Sequence, residues 1–91
     1  MKSMSNRRAA EQRERRKMLA RLVEDRGPWC EAVMAGCQGL AVDGHEVLAR
    51  SAGGSITDPT NIKLVCRWCH DLIGAFPLKA EALGLRKSRY A

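Results

Sequence analysis

Four cysteines and two histidines fall within residues 30–70. Cys30 and Cys37 form one pair and Cys66 and Cys69 a second, with His45 and Asn61 between them and His70 directly after. Thiolate and imidazole are the ligands zinc prefers, four at a time in a tetrahedron when the site is structural. A knuckle such as Cys66-Arg67-Trp68-Cys69 offers two sulfurs from one tight turn, and a distant pair completes the shell. Six residues separate Cys30 from Cys37. That gap is wider than usual, so the chain there must fold back to aim both sulfurs at one ion. Disulfides and a redox-active Cys-x-x-Cys are the competing readings. Residues 1–26 contain no apolar run of the secretory kind. The expectation is therefore a reducing, cytoplasmic setting and a four-cysteine structural zinc site.

Size argues the same way. The chain has 91 residues with two Trp, one Phe and one Tyr, which leaves little with which to fill a core. Zinc bound by a small domain contributes on the order of 10 kcal/mol to folding, as much as the whole stability of an ordinary domain. No apolar stretch has the roughly 20 residues needed to span a bilayer, so no membrane association is expected.

Positive charge is concentrated at the two ends. Residues 1–26 carry a net +5, residues 86–91 a net +3, and the middle a net −2. Basic arms flanking a compact middle suit phosphate neutralisation, and nucleic acid is the expected partner. A solvated helix is the alternative for the first arm.

The elements that must position these groups follow from local pattern. Ala, Arg, Glu, Lys, Leu and Met dominate the first arm and predict a helix from about Ser5 or Asn6 to Asp25, ended by Gly27-Pro28. Its apolar stripe is short, at Met18, Leu19, Leu22 and Val23. Leu40-Ala-Val and Val47-Leu, set around Asp43-Gly44, read as a β-hairpin, followed by a loop rich in turn residues from Ser51 to Thr60. Ile62 to Val65 reads as extended. Arg67 to Phe76 reads as a helix stopped by Pro77, and Pro77 to Leu83 as a last helix closed by Gly84. The fold class is α+β: a basic helical arm over 1–26, a zinc domain over 27–85 and a basic tail over 86–91. Trp29 and Trp68, each beside a cysteine, are expected to pack over the zinc cluster.

Over roughly residues 29–85 the chain resembles the HNH endonucleases, the ββα-metal or His-Me finger group, and especially their small bacteriophage members. The likeness is carried by Cys30 and Cys37, by Asp43-Gly-His-Glu-Val-Leu-Ala-Arg-Ser-Ala-Gly-Gly, and by Asp58-Pro-Thr-Asn-Ile-Lys-Leu-Val-Cys-Arg-Trp-Cys-His. It implies a hairpin and helix gripping one catalytic divalent ion, Mg, Mn or similar, and hydrolysis of DNA phosphodiester bonds. It also implies phage genome processing or packaging inside a bacterial host cell, beside a terminase. Carried over by position, His45 and His70 are implied as ligands of the catalytic ion, and Asn61 as the residue that orders the loop by hydrogen bonds. Glu46 stands where the family usually has its general-base histidine, a departure from the pattern. Gly74 stands where some relatives have a third histidine. Asp43 is the runner-up ligand, and Asp71 reads as a helix-surface acid. Arg7, Arg8, Arg50, Lys63 and Arg67 are candidates for phosphate contact. The alternative function is a non-catalytic zinc-knuckle DNA-binding protein with a degenerate site.

Overall fold

The computed structural model describes residues 2–88, with side chains from residue 6 onward. Helix α1 covers Lys2–Arg26, strand β1 Asp43–Glu46, strand β2 Ile62–Val65, helix α2 Arg67–Ala75 and helix α3 Pro77–Ala82. Two short 3-10 turns, Arg50–Ala52 and Pro59–Asn61, shape the loop between the strands. The result is a small α+β fold around a two-stranded antiparallel sheet. No helix among the described residues is long and apolar enough to cross a membrane. Arg89, part of the basic tail read from the sequence, lies outside the described residues.

Helix α1 begins before Ser5 and Asn6, which therefore do not cap it. The run of strong helix formers carries through both positions. Gly27 ends the helix at φ +87, its N–H bonding the Val23 carbonyl at 2.8 Å.

The hairpin expected around Asp43-Gly44 does not form. Asp43 and Gly44 lie inside β1, paired with Val65 and Leu64 of β2. Leu40 instead bridges Trp29, and Leu48 bridges Lys87 in parallel. The Asp-Gly turn preference is a local signal. It loses to burial of β2, where Ile62 is 1% and Val65 0% exposed. Each such apolar side chain stabilises the fold by about 1.5–3 kcal/mol.

Two cores lie on opposite sides of the sheet. Met18 and Leu22 of α1 pack with Ile62 and Leu64. On the other side the four cysteines pack with Met34, Val65, Ile73, Ala80 and Leu85.

Two cations of α1 turn inward and fasten it to the sheet. Arg15 donates to the carbonyls of Ile56 (2.7 Å) and Gly44 (2.8 Å). Arg26 donates to those of Ile62 (2.8 Å) and Pro59 (3.0 Å). Guanidinium donors are well suited to satisfying several acceptors at once.

Candidate functional site

The sulfur cluster is assembled from a turn and a helix start. Cys66 caps α2, its Sγ accepting from the Cys69 N–H at 3.3 Å, so one turn of chain presents both sulfurs. The wider Cys30–Cys37 segment folds back through Val33 (φ +47) and Gly36 (φ +86). A Cβ at Gly36 would lie 2.4 Å from Nε1 of Trp68, which donates to the Ala35 carbonyl at 2.7 Å. Trp68 thus braces this turn. Trp29, by contrast, is 62% exposed and lies beside Gly27, away from the cluster. It is not among the residues of the sulfur-side core, and its backbone bridges Leu40.

All four Sγ atoms lie within 4.8 Å of one another, with Cys37 and Cys66 at 3.9 Å. Four sulfurs on one tetrahedral zinc stand about 3.8 Å apart, as follows from a Zn–S distance of about 2.3 Å. None of the four is in a disulfide, whose sulfurs would be about 2 Å apart. Backbone N–H groups of Met34, Gln38 and Gly39 point at Cys69, Cys66 and Cys37, each at 3.4 Å. Burial opposes ionisation of Cys66, yet its N–H donors and neighbouring thiols bring it down to about 6. Burial and the neighbouring sulfurs push Cys69 up to about 12. Four thiolates at this spacing need a cation to ionise together, and the cluster could hold a metal ion such as zinc.

Beside this cluster lies an open cleft of about 490 Å³, lined among others by His45, Glu46, His70, Gly74, Arg86 and Lys87. Cys69 and His70 are adjacent on α2, about 100° apart around the helix, so one faces the sulfurs and the other the cleft. The rings of His45 and His70 meet at 5.6 Å between centroids, inclined at 71°. Nε2 of His45 lies 2.7 Å from the Leu85 carbonyl and donates to it. Burial holds the His45 pKa below its ordinary value; the Leu85 carbonyl opposes the shift, His70 adds to it, and Glu46 opposes it. With Nε2 donating to that carbonyl, Nδ1 is the other nitrogen of the ring.

Successive side chains of a strand point to opposite faces, and Glu46 faces α1. Its Oε2 pairs with Arg15 at 3.1 Å. Lys63 stands directly across the strands from His45 and shares its face. Asp43 pairs with Arg67 at 3.8 Å, and Asp71 pairs with Arg67 at 3.4 Å. Arg50 pairs with Glu11 at 2.9 Å. Arg7 and Arg8 are exposed on α1.

Asn61 stands outside the cleft lining and ties the loop. Its Oδ1 accepts from the Leu48 N–H (2.9 Å), and its Nδ2 donates to the carbonyls of Leu48 and Ser55, both at 2.9 Å.

Arg15 and Leu85 were missed in the sequence, and Lys87 was read only as one cation of the basic tail. Arg15 was within reach, because it precedes Met18, Leu19 and Leu22 by three, four and seven residues and so shares the buried face of α1. Nothing local marks the Leu85 carbonyl. Compared with protein-family models, with curated proteins and with solved structures, the chain gives no match.

Proposed function

We propose that the protein is a metal-dependent endonuclease acting on DNA phosphodiester bonds, in the manner of the HNH enzymes its sequence resembles, and that its cysteine cluster holds a structural zinc ion. The observation that carries this reading is the His45–His70 pair, 5.6 Å between ring centres, on the wall of a cleft that also has Lys87 and Arg86. His45 and His70 would hold the catalytic divalent ion, His45 through Nδ1. When bound, such an ion stabilises charge on the phosphate and on the departing oxygen.

The remaining work falls to the protein's own side chains. The Leu85 carbonyl fixes the His45 ring, as outer partners of ligating histidines commonly do. Glu46 lines the cleft while its carboxylate is held by Arg15 on the α1 side of the strand, and it is the residue that would take the proton of the attacking water. Asn61 holds the Leu48 backbone, and through it the exit of β1. The sulfur cluster, with four thiolates and no vacancy for water, stabilises the scaffold and takes no part in the reaction.

One observation favours a second reading, a zinc-stabilised DNA-binding protein without activity. The Glu46 carboxylate is engaged by Arg15, which competes for the lone pairs a base must offer. Nicking of supercoiled plasmid by the zinc-loaded protein with Mg or Mn decides between the two. The endonuclease reading requires nicking that EDTA stops and that His70→Ala abolishes with the fold retained. Persistent cleavage in His70→Ala overturns the assignment.

A further inference from the structure

The basic segment after α3 is not a loose arm at its start. Gly84, at φ +75, turns the chain, with the Leu85 N–H returning to the Ala80 carbonyl at 2.8 Å. Leu85 is then buried in the sulfur-side core. The Lys87 N–H donates to the Val47 carbonyl at 2.8 Å, and Lys87 bridges Leu48 as a short parallel strand beside the exit of β1. This backbone fixes residues 85–87 against the strand that carries His45. Arg86 and Lys87 line the same cleft as His45 and His70.

The two cations differ in availability. Arg86 pairs with Glu81. Among the described residues no carboxylate pairs with Lys87. The charge of Glu46, the acidic residue of the cleft lining, is matched by Arg15 on the α1 side of the strand. Lys87 therefore leaves an excess positive charge, on a flexible stem, among the residues that line the cleft with the two histidines. A compact ammonium in that setting attracts phosphate oxygens.

We propose that Lys87, anchored by its backbone to Val47, is a phosphate-binding residue of the cleft that holds the DNA phosphodiester beside the histidine pair. This rests on the endonuclease reading for the identity of the substrate, while the anion site itself is testable alone. The sequence-level role of residues 86–91, diffuse attraction to DNA, is thereby narrowed at Lys87 to one contact at the site of reaction.

The test uses the zinc-loaded full chain under reducing conditions, as the parent, Lys87→Gln and Lys87→Arg. Amide spectra are followed during titration with inorganic phosphate and, separately, with a short DNA duplex. Both probes should shift His45, His70 and Lys87. Lys87→Gln should weaken each roughly tenfold, the usual worth of a hydrogen bond to a charged group. Lys87→Arg should stay within about threefold of the parent, since the charge is kept. For the duplex, Lys87→Gln should also lower the salt-dependence slope by about one unit. Shifts confined to α1, or a Lys87→Gln titration like the parent's, overturn the proposal. Shifts with inorganic phosphate but not with the duplex overturn the phosphodiester assignment. Plasmid nicking separates the two readings. Cleft shifts without nicking remove the endonuclease and keep the anion site, whereas nicking at the parental rate by Lys87→Gln keeps the endonuclease and removes the Lys87 role.

Discussion

The imidazole of His45 donates its Nε2 hydrogen to the carbonyl oxygen of Leu85 at 2.7 Å, across forty residues of chain. A carbonyl can only accept, so the neutral ring is the Nε2–H tautomer. Because burial lowers the folded-state pKa below 6.5, the unfolded chain takes up the proton first. The stability contributed by the neutral ring is thus present above pH 6.5 and lost as pH falls through the folded value. Imidazole nitrogen NMR of the zinc-loaded protein should report the Nε2–H tautomer and a midpoint under 6.5. An Nδ1–H tautomer, or a midpoint above that value, contradicts the contact.

Zinc should be needed for folding. Cys66→Ser and Cys69→Ser each remove a ligand that is 0% exposed, and either should leave the chain largely unfolded by circular dichroism. Metal analysis of the parent purified under reducing conditions should find zinc in equimolar amount, and a strong chelator should unfold it. A parental melting curve from either variant would show that the cluster stabilises nothing.

Arg15 and Glu46 can be separated by their readouts. Arg15→Met strands one carboxylate and two carbonyls, and should cost about 2 kcal/mol of stability, measured by urea unfolding. Glu46→Gln keeps an oxygen for Arg15 to bond but cannot accept a proton. It should melt near the parent while nicking falls about 10²–10⁴-fold. A rate within a few fold of the parent would remove Glu46 from the chemistry.

The loop after β1 depends on two small features. A Cβ on Gly54 would sit 1.8 Å from the Leu48 carbonyl oxygen, a backbone atom that cannot swing aside. Gly54→Ala should cost about 1–3 kcal/mol by overpacking. Asn61→Ala, which releases the same carbonyl and the Leu48 N–H, should cost about 2 kcal/mol. Calorimetry of the two variants and their double mutant should show clear non-additivity, since both act on Leu48.

Gly74 lies one helical turn beyond His70 on the cleft face, and a Cβ there meets nothing within 4 Å. Gly74→His should add a third nitrogen and bind Mn more tightly than the parent by isothermal titration. Replacing a helical glycine should also raise stability by a few tenths of a kcal/mol. Unchanged Mn affinity would place the ion elsewhere.

Much of the fold was legible, and the reasons differ by element. Helix α2 and strand β2 could be placed because Pro77, the apolar run Ile62 to Val65 and the cysteine knuckle are local signals. The four cysteines could be grouped because metal chemistry restricts what such spacing can mean. The partner of β1 could not be read correctly. Asp43-Gly44 has the composition of a turn, whereas the pairing that wins is set by β2, whose apolar residues lie between two cores. Around the cleft, His45, Glu46 and His70 were visible as residue types. Their partners Leu85 and Arg15 were not, because a backbone carbonyl has no sequence signature and one arginine among many in α1 looks like solvent-facing charge.

The contact between His45 and Leu85 also sets an order in time. Ribosomes add about 5–20 residues per second, so Leu85 is made roughly 2–8 s after His45. Throughout that interval the strand carrying His45 can exist without the carbonyl that orients its ring. The cysteines are all made by residue 69, so zinc can be captured before the cleft is complete. A nascent chain would therefore be able to gather its cysteines first, and would gain the His45–Leu85 contact only when the segment after α3 folds back.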